Sequence, residues 1–235
     1  MTQPSPTTYA LLGLLDARSL TGYELTHELR RSLRFIWPSS EGHLYREQKR
    51  LIDLGWATVE REPVGKRNRN RYRITPAGRQ AMRDWLSTAP TLLRFEIEGL
   101  LRMFYANQGT VEDLVGSMET TARMARSMLD SLLGYVDEYL EEGGPLWMLE
   151  HGLGGPGQER IAAHDRPQFP ERLHGVALVI EATARILAEL EASLTTASRQ
   201  VSRWASPTDP PITPATRKRL EDIRALRKTT TPDMA

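Results

Sequence analysis

The chain has 235 residues, 40% of them hydrophobic and 26% charged, and contains no cysteine. That composition belongs to a globular protein and excludes disulfides, thiolate metal sites and a cysteine nucleophile; it suits a reducing cytoplasm. The net charge of +1 hides an asymmetry: residues 1–90 hold 15 Lys and Arg against 9 Asp and Glu, a net of +6, whereas residues 91–235 hold the other 16 against 21, a net of −5.

A basic first half directs any polyanionic partner to that half. Met1 to Thr8 lacks the apolar core of a signal peptide, and no apolar run approaches the roughly 18 residues of a membrane span, so the sequence predicts a soluble cytoplasmic protein. Thr7 to Leu15 then reads as a short helix with a wide leucine face. Thr21-Gly22-Tyr23-Glu24-Leu25 opens a second helix, on which Leu25, Leu29 and Leu33 share one side. Pro38 stops the chain, and Ser40 is a cap for a third helix over Gly42 to Asp53, ended at Leu54-Gly55. Trp56 to Glu62 and Arg71 to Ile74 read as strands around a turn-rich basic tip, 63–70. Thr75-Pro76 caps a further helix carrying Ala81, Met82, Trp85 and Leu86.

Helix, helix, helix, hairpin, helix is the order of a winged helix-turn-helix, whose third helix is slim enough for a major groove. Leu44 and Leu51, seven apart, face the core. This turns His43, Arg46, Lys49 and Arg50 outward, with Tyr45 at the boundary as a DNA contact or a packing residue beneath the wing. The hairpin adds Lys66, Arg67, Arg69, Arg71 and Arg73 within eight residues. Guanidinium and ammonium groups pair with guanine edges or phosphates, which makes these ten residues the candidate DNA interface.

Several segments carry a family resemblance. They are Gly22-Tyr23-Glu24-Leu25, His43-Leu44-Tyr45-Arg46 with Lys49-Arg50-Leu51, Leu54-Gly55-Trp56, and Arg71-Tyr72-Arg73-Ile74-Thr75-Pro76-Ala77-Gly78. In that order they resemble the PadR family of transcriptional regulators. The resemblance implies a dimeric regulator, often a repressor, on a near-palindromic operator, with C-terminal helices holding the dimer and a small-molecule effector whose identity varies. Gln48 departs from the pattern, since the family often has an apolar residue there. The expected fold is mainly α with a small β-hairpin wing: a winged helix-turn-helix over 1–88, a helical dimerisation and effector domain over 89–205, and a linker and basic tail over 206–235.

In the second half, Phe95 to Gln108 reads as a helix. Thr110 with Asp113 starts another, running to about Glu142, with a stripe from Val111 through Leu114, Met118, Thr121, Ala125, Met128, Leu132 and Tyr135 to Tyr139. Glu171 to Trp204 has a longer stripe: Leu173, Val176, Ile180, Thr183, Leu187, Leu190, Leu194, Ala197, Val201 and Trp204. Such a stripe needs a partner helix, from a second copy of the chain or from a single globular core. Gly143 to Pro170 reads as loop, and there Trp147 and Met148, with Tyr139, are candidates to border an effector pocket. Ser206 to Thr213 reads as a linker and Pro214 to Lys228 as a short basic helix.

No enzyme signature accompanies these elements. Gly152, Gly154 and Gly157 have dinucleotide-motif spacing, but no strand precedes them and Pro156 interrupts them. Histidines 27, 43, 151, 164 and 174 lack paired metal spacing. The sequence thus predicts no cofactor, metal or catalytic residue; a winged helix that binds a protein partner in place of DNA is the alternative reading.

Overall fold

The structure, a computed structural model, describes residues 4–64, 67–91, 95–151, 172–208 and 214–229. The elements of the N-terminal region are α1 (Pro6–Ala17), β1 (Leu20–Thr21), α2 (Gly22–Ser32), α3 (Glu41–Asp53), β2 (Ala57–Val64), β3 (Arg67–Ile74) and α4 (Pro76–Leu86). Each helix here begins where local chemistry dictates. Ser5 forms a capping box with Thr8, and Thr21 forms one with Glu24; Ser40 and Thr75 cap α3 and α4. Helix α3 ends at Leu54, and Gly55 follows with φ +69°, a left-handed conformation that favours glycine.

Leu11, Leu12, Leu15, Leu20, Leu25, Leu29, Leu44, Leu51, Ala57 and Ile74 form one buried cluster, so α1, α2, α3 and the sheet share a core. Each fully buried leucine contributes about 1.5–3 kcal/mol. Tyr9 of α1 stacks on Trp85 of α4 at 4.7 Å and leans on Trp56 at 5.4 Å, closing the open side of that core.

The sheet has the order β1-β3-β2, with both pairings antiparallel. Sequence reading missed β1, whose two residues pair Leu20 with Tyr72 and Thr21 with Arg71. The hairpin is also longer than predicted: the ladder runs from Ala57↔Ile74 to Val64↔Arg67, so Arg67 and Arg69 lie in a strand rather than a wide tip. Both faces of this distal stretch carry polar side chains, which removes the alternation that marks a strand.

Two polar networks join these elements. Gln48, 1% exposed, donates through Nε2 to the Gly22 carbonyl at 2.9 Å and to Thr26 Oγ1 at 3.0 Å. Its Oε1 lies 2.8 Å from where a side chain at Gly22 would begin, so glycine is what lets α2 approach. Arg71 of β3 donates through Nε to Glu62 at 2.6 Å and through Nη1 to the Ser19 carbonyl at 3.0 Å, and its Nη1 lies 3.6 Å from Glu24 of α2. Glu62 raises the pKa of Arg71, against partial desolvation. Burial pushes the Glu24 carboxyl up, but bonds from the Thr21 backbone and hydroxyl, with Arg71 and Arg18, outweigh it and hold the group below its ordinary value.

The remaining elements are α5 (Glu98–Phe104), a 3₁₀ turn (Ala106–Gln108), α6 (Val111–Leu140), α7 (Pro145–His151), α8 (Leu173–Val201) and α9 (Pro214–Thr229). Thr110 and Asp113 bond reciprocally at the start of α6. Within 143–170, read as largely loop, the short helix α7 forms and starts with proline at its first position; residues 152–170 lie outside the described residues.

The chain divides into two compact units, Met1–Arg94 with Asp130–Ala184, and Phe95–Leu129 with Arg185–Ala235. In the first, the end of α6 and the start of α8 join the winged helix. Arg31 of α2 lies 3.5 Å from Glu138, and Arg172 donates to the Gly13 carbonyl at 3.0 Å. In the second, Val111, Leu114, Met118 and Ala122 of α6 cluster with Leu194 and Val201 of α8.

Replacing Gln48 with Ala removes two buried hydrogen bonds and opens a cavity, and should cost about 2–4 kcal/mol in denaturant unfolding; Gln48→Met, which keeps the volume, should cost less. Because the Glu24 pKa is lower folded than unfolded, its contribution is present above the ordinary value of 4.5 and is lost as pH falls through the folded value. The melting temperature of Glu24→Gln should therefore lie below wild type at neutral pH and converge with it in acid.

Candidate nucleic-acid interface

Helix α3 has two unlike sides. Leu44, Glu47, Gln48 and Leu51 are buried, and Gly42, Tyr45, Arg46, Lys49 and Asp53 line the opposite, exposed side. His43 and Arg50 are half-buried at its margin. The buried Glu47 carboxylate accepts the Thr8 hydroxyl proton and lies 3.9 Å from Arg50, holding that guanidinium at the rim. Tyr45 is 49% exposed and sits near Tyr72 of β3. Burial pushes the Tyr72 phenol up, and the Tyr45 phenol adds to this. Tyr45 is thus open to solvent and close enough to Tyr72 of the wing to influence its phenol.

The wing is less basic than its sequence. By register, Arg69, Arg71 and Arg73 share a face with Thr58, Glu60 and Glu62. Arg71 is committed to Glu62, Glu24 and Ser19, so its head is part of the framework. Arg73 lies 3.7 Å from Glu60 with both side chains 59% exposed, a screened pair that a phosphate can replace. Arg69 is exposed. Lys66 lies outside the described residues; Arg67 pairs with Val64 in the ladder, and its side chain is outside the description.

Sequence reading passed over another exposed track. Tyr23, His27, Arg30 and Arg34, spaced four, three and four, are all exposed on α2 and the turn after it. Their helical spacing opposite Leu25 and Leu29 was the available signal.

The candidate effector residues have separate neighbours. Tyr139 is half-buried, with its ring 6.3 Å from Tyr135, and Trp147 stacks on His151 at 4.5 Å. The Met148 side chain lies outside the description. Tyr135 carries the Arg31 guanidinium 5.5 Å over its ring. Burial pushes both phenols up, and Arg31 acts in the opposite direction.

The long α8 stripe also has more than one neighbour. Leu187, Leu194 and Val201 are buried, and Leu190, Leu194, Val201 and Trp204 pack in the cluster that α6 completes in the same chain. That portion takes its partner helix from its own core. Leu173, Val176 and Ile180 are half-buried in the first unit. Among the described residues, no cluster of three or more His, Asp or Glu could hold a metal, and no helix is long and apolar enough to cross a membrane.

Comparison with known proteins agrees with this architecture. A curated relative, the negative transcriptional regulator PadR of Bacillus subtilis (strain 168), is 25% identical over 140 residues, 59% of this chain and 77% of its own length. Bacillus subtilis PadR solved in complex with operator DNA superposes with a TM-score of 0.62 at 19% identity, covering 84% of this chain and 99% of that one. The smu.1604c protein of Streptococcus mutans UA159 gives 0.60 at 19% identity, over 80% and 96%. PadR solved with p-coumaric acid gives 0.57 at 20% identity, over 87% and 100%. Residues 11–84, which span most of the winged helix, match the model of the transcriptional regulator PadR-like family. By that match residues 11–84 are PadR-like, and the chain as a whole is similar in sequence and fold to PadR-like transcriptional regulators.

Proposed function

We propose that this chain acts in the cytoplasm, without catalysis, as a homodimeric repressor that binds a near-palindromic operator and is released by a small molecule. The observation that carries this reading is α3, which buries Leu44, Glu47, Gln48 and Leu51 while presenting Tyr45, Arg46 and Lys49 to solvent. A helix held this way offers two long cations to a major groove, and a basic wing beside it offers Arg69 and Arg73 to a backbone. The division of labour proposed from sequence is retained: 1–88 for DNA, 89–205 for dimerisation and effector response, 206–235 as a basic tail. Bacillus subtilis PadR is named a negative regulator and has been solved with p-coumaric acid, which supports repression and an effector for this chain as well.

Two copies are needed to read a two-fold site, and dimerisation raises affinity by linking the half-sites. Exposed apolar side chains support self-association: Leu101 and Phe104 of α5 are 59% and 78% exposed, and Leu178 and Ile186 of α8 are 58% and 52% exposed. We accordingly propose these residues, together with the half-buried start of α8, as the dimer contact; Leu194 and Val201, which pack on α6 of the same chain, contribute to it less directly.

Arg46→Ala or Lys49→Ala should weaken operator binding by about 1–3 kcal/mol where the side chain reads a base, and should relax specificity at that position. Duplexes selected from genomic fragments by the purified protein provide the assay. Operator affinity unchanged after removing Arg46, Lys49, Arg69 and Arg73 together would overturn the mechanism. In sedimentation, Phe104→Asp and Ile186→Asp should shift dimer to monomer with little loss of helix; Leu194→Asp, which places a charge in the core, should reduce the helical signal itself.

A further inference from the structure

Helix α9 differs in charge from the half of the chain that carries it. It holds six Lys and Arg against two Asp and Glu, a net of +4, whereas residues 91–213 hold ten against eighteen, a net of −8. On its side toward α8, Ala215, Lys218, Arg219, Asp222 and Ile223 line an open groove of about 370 Å³ with Gln200. There Arg219 donates to the Gln200 side-chain oxygen, and Lys218 pairs with Asp222 of its own helix at 2.9 Å. Neither bond involves an acid of α8. The opposite side of α9 carries Arg217 and Arg224, seven residues apart and so on one face, both exposed. Among the described residues, neither has an ion-pair or hydrogen-bond partner. Glu221 and Leu220, the latter 64% exposed, lie between them, and Arg227 and Lys228 continue the basic run in sequence. A face with one apolar side chain among charges offers little to a protein partner, whose contacts need an uncharged centre.

We infer that the Arg217–Arg224 face of α9 is a DNA-backbone arm, gripping phosphates of the duplex that the winged helix holds. This rests on the operator-binding reading above and gives the basic tail its partner. A guanidinium fork matches phosphate oxygens and forms charge-assisted bonds with them. The two guanidiniums are carried about 10 Å apart along the helix axis, so each takes a phosphate of its own. Such contacts add affinity without reading sequence, which leaves base choice to α3. Tethering supplies what two arginines lack by themselves: once the winged helix is on a duplex, the encounter of the arm with DNA is intramolecular, so a contact too weak to hold DNA alone still adds to affinity. A basic helix on an otherwise acidic half also offsets the repulsion between that half and the polyanion.

The test uses the full chain and two duplexes, one selected by the wild-type protein from genomic fragments and one of arbitrary sequence, titrated by fluorescence anisotropy over a range of salt. R217Q/R224Q, which keeps helix propensity, should bind both duplexes more weakly by a similar factor, roughly tenfold or more, with an unchanged preference between them. Its salt slope should fall by about two for each copy of the chain on the duplex. R217K/R224K keeps the charges and should stay close to wild type in slope; a loss equal to that of the glutamine variant would give the two arginines a structural role and overturn the inference. An equal fall in slope for R123Q/R126Q, two exposed arginines of α6, would also overturn it, because net charge alone would then account for the effect. In sedimentation without DNA, R217Q/R224Q and wild type should have the same mass; a lower mass for the variant would make this face a contact between copies instead. If R217Q/R224Q keeps wild-type affinity and slope while Arg46→Ala/Lys49→Ala fails, only the arm is refuted. If the wild type selects no duplex, operator binding is refuted, and the slopes on the duplex of arbitrary sequence still decide the arm. Matching thermal unfolding curves keep misfolding out of the comparison.

Discussion

Everything that positions the exposed face of α3 depends on the packing of α3 against α2. A helix entering a groove must keep one side bare, so its other side has to supply nearly all of its tertiary stability. Leu44 and Leu51 do this with apolar area in the shared core. Gln48 adds directional bonds to Gly22 and Thr26. A buried amide is costly unless paired, and here that cost opposes any slide of α3 along α2, since a slide would leave the amide, a carbonyl and a hydroxyl unpaired together. An apolar residue at this position would hold the helices together with less preference for one register.

Charge in this protein acquires meaning only through geometry. Arg71 and Arg73 are two residues apart on one strand face, yet Arg71 ties β3 to Glu62, Glu24 and Ser19, whereas Arg73 keeps an exposed partner that it can leave. Arg30 and Arg31 are adjacent, yet one meets the start of α3 and the other the end of α6. Counting Lys and Arg along the wing overstates the charge available to a polyanion, because Glu60 and Glu62 lie across the ladder on the same face.

What was legible in the sequence was what is set locally. Ser40, Thr75 and the Thr21–Glu24 pair fix helix starts within a few residues, and the leucine spacings of α1 to α3 name the core side. What was not legible depends on distant partners. The two residues of β1 have no periodicity to display and become a strand only because β3 runs beside them. The outer hairpin projects with polar side chains on both faces, so its length is recorded in backbone pairing and not in alternation. The α8 stripe announced that a partner helix exists, but spacing carries no label for whose helix it is; for Leu194 and Val201 it is α6 of the same chain. The solvent-facing side of α3 was readable because two leucines seven apart determine which residues they exclude. The commitment of Arg71 was not, since its partners come from three other segments.

Helix α2 joins these parts. Glu24 at its first turn reaches the wing through Arg71, Gly22 and Thr26 take the α3 amide, Arg30 reaches the start of α3, and Arg31 reaches α6. The energies on its two sides differ in kind. The α2–α3 contact includes buried leucines and a buried amide, and breaking it costs several kcal/mol. The Arg31–Glu138 pair is about half-exposed at both ends, with a cation over the Tyr135 ring, and such contacts contribute about 1 kcal/mol each. Allosteric coupling between a ligand and a distant site is typically about 1–3 kcal/mol. A ligand acting on the C-terminal helices thus has enough free energy to rearrange the α2–α6 contact but not the α2–α3 contact. Under that hierarchy α2, α3 and the wing respond as one body, and in the proposed repressor an effector would reorient the whole DNA-binding surface rather than dismantle it.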